Sequence, residues 1–518
     1  MRPVPLVRRV VLALTLCLLP RPALPQARLP TWLDADMTRA LRTFHVPGAA
    51  IAIVKDGKVL VAKGYGVRRM GERARVDGHT LFQIASNTKA FTAACLALLV
   101  DSGAINWDDP VTKYLPDFQL ADPWVTREFT IRDLLTHRSG LGLGAGDLLW
   151  LHSTYDRREI IRRMRAAPRA SSFRSAYAYD NVLYAAAGEI IPAVTGKTWE
   201  AFVRARILDR LGMTDARTGI ADLRTGDTLA TPHAVSDETL RTVPLDTVDN
   251  IGPAAAIIAS ASDLSKWILV QLDSGRTGRG ALWTPARAQE MWSAVTVMPI
   301  PDPDPPLASL RPNFLAYALG WRLRDYRGRK LVWHTGGLAG MTSRVTLVPD
   351  ARLGIAVLTN GESDLDEALT FQLLDYFLGA PSTDWTAAFH AAAQAEADSA
   401  DASLAAMRRA RDSTTHPSLP LARYAGPYTD ALYGDASITL EGGTLVLRFS
   451  HSPAFVGDLV HWQYDTFRTR WRTPNLADAF VTFTLRPNGA VDHFTMTAVS
   501  SLADFSYDYQ DLRFVPVK

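Results

Sequence analysis

Cysteine is almost absent: Cys17 and Cys95 are the two in 518 residues. Cys17 falls in an N-terminal leader, so the processed chain keeps one cysteine and can form no internal disulfide. Cys95 sits in an apolar helical stretch and reads as a small core residue. No His-Glu-x-x-His and no paired-cysteine spacing occurs, so neither zinc nor any other metal or organic cofactor is implied. Gly-x-Ser-x-Gly is missing, which removes the sequence sign of an α/β-hydrolase nucleophile elbow. The apolar run Val10–Leu19 is too short to span a bilayer.

An excess of one charge is missing too. The formal net charge is +3, but residues 1–27 hold Arg2, Arg8, Arg9 and Arg21 and no acid. Those arginines, the apolar run behind them and the small residues Ala23 and Ala27 form the pattern of a secretory signal, and the chain is expected to be exported to a periplasmic or extracellular space. Pro25 would stand at the −3 position of a cut after Ala27. Leu16 before Cys17 is bulkier than lipoprotein processing favours. Removing the leader's four positive charges from +3 leaves about −1, so the composition implies no nucleic-acid or anionic-membrane partner.

What is present is a long, well-mixed globular chain, 47% hydrophobic and 21% charged, whose length predicts two domains. A first helix is predicted over residues 32–43. Ala49–Val54 and Val59–Lys63 flank Asp56-Gly57, a hairpin signal. Residues 110–290 read as mostly helical, with elements at 158–165, 181–195 and 200–211. The proline-rich stretch 298–313 reads as a loop. Strands return at 317–323, 330–334, 343–348 and 354–358, and a helix over 365–378 ends at Gly379. Strands at both ends with a helical middle predict an α+β fold, a sheet built from chain ends with an inserted helical lobe. Residues 384–412 are alanine-rich and helical, with arginines at the far end where they suit the helix dipole. Beyond residue 421 short strands follow, at 437–440 and 445–449 around Gly442-Gly443 and at 480–485 and 491–495 around Asn488-Gly489. They predict a small all-β barrel or sandwich. The resulting organisation is 1–27 signal, 28–380 hydrolase-like domain, 381–420 helical linker and 421–518 β domain.

Chemistry concentrates in Leu81–Val100, LFQIASNTKAFTAACLALLV, read as one buried helix. Residues three apart share a helical face, so the Ser86 hydroxyl and Lys89 amine can meet. A serine hydroxyl is a weak nucleophile until a base takes its proton, and lysine serves as that base once burial lowers its pKa. Two segments follow in order: Tyr179-Asp180-Asn181, and His334-Thr335-Gly336-Gly337 at the end of an apolar strand. The glycines at 336 and 337 let a substrate approach the strand edge closely. His137 and Ser139 in LLTHRSGL read as residues that order a loop.

Ser-x-x-Lys, Tyr-x-Asn and His-Thr-Gly in this order resemble the serine penicillin-recognising hydrolases, in the branch holding class C β-lactamases, DD-carboxypeptidases, D-aminopeptidases and related esterases. The resemblance spans about residues 35–380 and includes GAAIAIVKDGKVLVAKGYG, DDPVTKYLPDF, TIRDLLTHRSGL and VTGKTWEAFVRARILDRLGMTDAR. It implies a β-lactamase/transpeptidase-like sheet with a helical lobe. It implies Ser86 as nucleophile, Lys89 and Tyr179 sharing the protons, and Asn181 holding Lys89 and a substrate amide. It further implies His334 in a hydrogen-bond network beside Tyr179, and an oxyanion hole from the Ser86 and Gly337 N–H groups. Thr335, Gly336 and Arg344 are the substrate-binding candidates, Arg344 as a cation for a free carboxylate. The C-terminal strands resemble the lipocalin-like extension of some secreted relatives, either a stability or dimer module or a shaper of the active-site mouth.

Two departures bear on substrate. His334 stands where class C β-lactamases usually carry lysine, as in DD-carboxypeptidases and D-aminopeptidases. Asp180 stands where serine or alanine is usual, a carboxylate that could repel acidic substrates or attract an amino group. The expected function is an exported serine hydrolase acting on small amides, esters or peptides, with D-residues among the candidates. A class C-like β-lactamase and a noncatalytic penicillin-binding or sensor protein are the alternatives. The expected partner is a small-molecule or peptide substrate, with no membrane span and with a homo-oligomer left open.

Overall fold

The protein is described here from a computed structural model covering residues 28–236, 239–278, 280–303 and 305–517. The expected signal, with Cys17, lies outside the described residues.

Strand β1 (Gly48–Lys55) explains why its sequence is apolar throughout. Ala49, Ile51 and Ile53 enter one core, and Ala50, Ala52 and Val54 enter the other. A strand covered on both faces has no polar side. It turns through Asp56 and Gly57, both at positive φ (52° and 76°), into β2 (Lys58–Gly66). Asp-Gly is favoured there because the turn needs two left-handed residues. The other sheet strands are β3 (Thr296–Val297), β4 (Leu315–Tyr317), β5 (Arg322–Tyr326), β6 (Arg329–Leu338), β7 (Met341–Val348) and β8 (Leu353–Thr359). They join one antiparallel sheet in the order β2-β1-β8-β7-β6-β5-β4-β3. Helix α1 (Leu33–Thr43), α5 (Leu365–Leu378) and the start of α6 (Trp385–Ala410) cover one face. The helical lobe covers the other, with α2 (Thr88–Asp101), α3 (Val182–Thr195) and α4 (Ala261–Leu272). Helix α4 lies so close to β8 that a Cβ on Gly354 would stand 2.2 Å from Ile268 Cγ2.

Two expected elements differ. The helix expected over 81–100 begins only at Thr88. Phe82–Gln83 pairs instead with Ile258–Ala259, and Ala85–Asn87 form a single 3₁₀ turn. Ala85 has φ 45°, which breaks helical continuity just before Ser86. The strand expected over 317–323 is interrupted between β4 and β5. Gly320 there (φ 77°) presses against the first turn of α2, where a Cβ would lie 2.7 Å from the Lys89 carbonyl oxygen.

The C-terminal strands close into an eight-stranded antiparallel barrel running from Gly426–Asp430 to Arg513–Pro516. Its interior is aromatic, with Tyr424, Phe467, Phe483 and Phe494 in mutual contact. Helix α6 leads into it, N-capped by Asp384, whose side chain accepts from Ala387 N–H at 3.1 Å. The barrel docks on the helical lobe. The His451 ring stacks on Tyr155 at 4.1 Å, and Arg163 donates to the Leu432 carbonyl at 3.0 Å. Among the described residues, no helix is long and apolar enough to cross a membrane.

Candidate active site

The late start of α2 places Ser86 in the first turn of the combined 3₁₀–α helix, where backbone N–H groups lack intrahelical acceptors. Neighbouring side chains pin that turn. Asn87 donates to Ser343 Oγ at 2.8 Å, and Ser343 donates to the Ile84 carbonyl at 2.8 Å. Ser86 itself is half-buried, while Lys89, one turn on, is wholly buried.

Lys89 Nζ has three acceptors: Ser86 Oγ at 3.0 Å, Asn181 Oδ1 at 2.7 Å and the Ala254 carbonyl at 3.2 Å. Burial, opposed by the charge of Asp147, brings its pKa down to about 7. Near neutral pH a large share of molecules therefore carries a free amine facing the serine hydroxyl. Tyr179 is buried beside it, with Nζ 4.7 Å from the ring centroid and the phenol against Ser86. Burial pushes the phenol far above its ordinary range, so Tyr179 is a neutral donor while Lys89 is the group able to accept a proton.

Asn181 uses both ends of its amide. Oδ1 accepts from Lys89, and Nδ2 donates to Asp147 Oδ2 at 2.8 Å. It begins α3 without capping it. That task falls to Asp180, which is fully buried and accepts from Leu183 N–H at 3.2 Å. Burial and Asp147 push the Asp180 carboxyl well above the usual range. This corrects the reading of Asp180 as a mouth carboxylate that steers substrate charge. His137 (φ 55°) orders this segment, as expected of the loop. Its Nδ1 accepts from Asp180 N–H at 3.1 Å, and its carbonyl from Ala178 N–H at 2.9 Å.

On the sheet side, His334 and Gly336 face Ser86, and a Cβ on Gly336 would stand 2.1 Å from the Ile84 carbonyl oxygen. His334 Nδ1 donates to the Thr335 carbonyl at 2.6 Å, which leaves Nε2 to accept from Tyr317 O–H at 2.9 Å. Burial and the nearby Arg322 and Lys89 charges hold the imidazole well below its ordinary pKa, hence neutral. Its hydrogen-bond partner is thus Tyr317, not Tyr179. The ladder with β5 ends at Trp333, so the edge from His334 to Leu338 extends past β5, and Gly337 is exposed. A substrate strand has room to lie there.

Strand alternation puts Thr335 on the other face, opposite Arg344. Arg344 is buried there, its guanidinium 4.5 Å from the Trp333 ring centroid and 3.1 Å from Glu367. It is packed beneath the sheet against α5, which corrects the expectation that it meets a substrate carboxylate; Thr335 shares that face.

Sequence reasoning passed over Asp147, Arg322 and Tyr317. Asp147 is fully buried, accepts from Trp150 Nε1 at 2.8 Å and from Asn181, and burial raises its pKa to about 7. An acid inside the apolar stretch LGLGAGDLLWL was the available signal. The Arg322 guanidinium lies 5.6 Å from the Tyr179 ring centroid and helps keep Lys89 and His334 uncharged.

A half-buried serine against a wholly buried lysine, beside a sheet that helices cover on both faces and with a neutral tyrosine and an open strand edge at hand, is the arrangement expected of the β-lactamase-fold serine hydrolases. The chain belongs to the β-lactamase family, whose profile matches residues 33–376; a domain of unknown function, DUF3471, matches residues 410–516. It is 30% identical over 445 residues to the unguisins hydrolase ungD of Aspergillus violaceofuscus, covering 79% of this chain and 77% of the relative. In fold it resembles the octameric penicillin-binding protein homologue of Pyrococcus abyssi, with TM-score 0.61 and 22% identity over 90% of this chain and 97% of the other. It also resembles the D-amino acid amidase of Ochrobactrum anthropi SV3, with TM-score 0.58 and 22% identity over 68% and 99%.

Proposed function

We propose that the protein hydrolyses small amides, esters or peptides, D-residue substrates among them, through an acyl-enzyme on Ser86. The observation that carries this reading is the 3.0 Å contact between Ser86 Oγ and a lysine whose pKa is lowered to about 7. The free amine of Lys89 takes the hydroxyl proton as Oγ attacks the carbonyl carbon. The N–H groups of Ser86 and Gly337 receive the developing oxyanion. The proton passes from Lys89, with Tyr179 as neutral relay, to the leaving nitrogen or oxygen. Water then hydrolyses the ester on Ser86 and regenerates the hydroxyl. His334 in place of lysine favours amides and peptides over β-lactams, and the hydrolase name of the 30% identical relative is in keeping. The leader over residues 1–27 supports an exported enzyme.

Intact-mass analysis after mixing with penicillin, nitrocefin and p-nitrophenyl acetate tests the reading, with Ser86→Ala as control. A Ser86-dependent acyl adduct with ester turnover is expected, alongside a long-lived β-lactam adduct. Fast nitrocefin turnover would move the assignment to a β-lactamase. No adduct with any probe would leave a noncatalytic binding protein.

A further inference from the structure

We propose that the barrel segment 500–511 is a working part of the active site, with Asp508 as a positioning residue for the chain Asp147–Asn181–Lys89. This rests on the hydrolase reading and extends it to the C-terminal domain. Asp508 is fully buried in the last turn before the final barrel strand. Its Oδ2 accepts from Gly146 N–H at 2.8 Å and from Tyr433 O–H, and its Oδ1 accepts from Leu148 N–H at 3.1 Å. Gly146 and Leu148 flank Asp147, so the barrel carboxylate clamps the backbone that aims Asp147 at Asn181. Gly146 holds φ 83°, and a Cβ there would meet Met164 Sδ at 2.7 Å. The turn is therefore restricted to glycine, and the acceptor for its N–H comes from the barrel.

Two more contacts come from the same segment. Ser506 lies beside the Asp147 carboxylate and favours its charged form against the effect of burial. Phe505 meets Tyr179 edge-on at 5.6 Å, and a Cβ on Gly144 would lie 2.6 Å from the Phe505 carbonyl oxygen. Gly144 N–H in turn donates to the Tyr179 carbonyl at 2.8 Å. Three side chains within four residues of one barrel loop thus reach Tyr179, Asp147 and the turn around Asp147. An interface serving stability alone does not call for two buried carboxylates near one another, since each opposes the other's charge. Their proximity is accounted for if both are needed to fix Asn181 and, through it, Lys89.

The test is single-turnover acylation by p-nitrophenyl acetate in the full chain, comparing Asp508→Ala, Asp147→Asn and the double variant. Asp508→Ala is expected to slow acylation about 100-fold, the scale of lost positioning, with KM changed little. The double variant is expected to be no slower than the worse single one, because both break the same chain. Asp508→Asn, which keeps one acceptor oxygen, is expected to recover part of the rate. Tyr428→Phe, inside the barrel, controls for mere loss of stability and should leave the rate unchanged. If Asp508→Ala does not fold, Tyr433→Phe carries the comparison, with a loss of about threefold or more expected from the missing hydrogen bond to Asp508. Wild-type acylation rates in the folded Asp508 or Tyr433 variants, or effects of Asp508→Ala and Asp147→Asn that simply multiply, would overturn the proposal while leaving the hydrolase reading intact. Absence of any Ser86-dependent acylation in the wild type would overturn both.

Discussion

Asn181 ties Lys89 to Asp147, accepting from Nζ at 2.7 Å and donating to Oδ2 at 2.8 Å through the two ends of one amide. The amide separates a buried amine from a buried carboxyl, so the two do not form a direct ion pair that would lock Lys89 in its protonated form. Asn181→Asp should therefore be worse than its small size change suggests. A carboxylate against Nζ raises the lysine pKa and moves the basic form above neutral pH. Acylation at pH 7 is expected to fall at least about 100-fold, within the range for loss of a general base, with partial recovery as pH rises. A pH–rate profile of the variant that keeps the wild-type midpoint would refute this.

The wild-type profile follows from Lys89. In the proposed mechanism the active form carries the free amine, so kcat/KM for an ester should rise with pH through a midpoint near 7, the value to which burial brings the amine. Ester hydrolysis from pH 5 to 9 measures it. A profile flat across that range would mean that another group accepts the serine proton.

The same shift has a stability cost. The folded-state pKa of Lys89 lies below the ordinary 10.5, so between about 7 and 10.5 the unfolded chain binds more protons than the folded one. Its contribution to stability therefore improves as pH rises across that window, and the penalty is largest below it. Lys89→Met should abolish acylation and raise the melting temperature, with a larger gain at pH 8 than at pH 10. A gain of the same size at both pH values would show that desolvation of the amine is not its source.

The catalytic candidates Ser86, Lys89, Tyr179, Asn181 and His334 were legible because each stands in a short motif whose order along the chain is informative. The structure brings all five together. Arg322, Tyr317 and Asp508 were not legible, because each reaches the site across the fold and has no local pattern of its own; Asp147 left one trace, an acid within an apolar stretch, but nothing local tied it to Asn181, 34 residues on. Strand alternation explains why Arg344 was misplaced. It lies close in sequence to the His334 motif, but it pairs with Thr335, one residue off the catalytic face. In the barrel, the hairpins with Gly-Gly or Asn-Gly turns were readable. The Val456–Gln463 and Thr466–Trp471 strands were not, since barrel closure and not a sharp apolar alternation defines them.

Arg344 is a stability residue. Its guanidinium is sandwiched under the sheet between Trp333 and Phe371 and paired with Glu367. Arg344→Ala should destabilise the protein by about 3 kcal/mol, the usual cost of breaking a buried pair, with KM for carboxylate-bearing substrates unchanged. Urea unfolding and steady-state kinetics on the same preparation decide it. A raised KM without loss of stability would return Arg344 to the substrate.

Gly336 sets the gap between strand β6 and the nucleophile turn. A methyl group there would enter the space of the Ile84 carbonyl oxygen, at 2.1 Å, and would also crowd Ser343 Oγ, at 2.7 Å. Both atoms belong to the hydrogen bonds that hold the turn before Ser86. Gly336→Ala must therefore push the strand outward, and the Gly337 N–H moves with it, away from the Ser86 N–H that is its partner in the proposed oxyanion hole. Loss of one oxyanion donor costs about 100- to 1000-fold in kcat, and that range is expected here. Gly337, by contrast, has open space at its Cβ position. Gly337→Ala should retain most of the acylation rate, because its contribution comes from the backbone N–H and not from the lack of a side chain. Equal losses in the two variants, measured by p-nitrophenyl acetate burst kinetics, would show that the strand edge is read through both glycines and not through the Gly336 spacing alone.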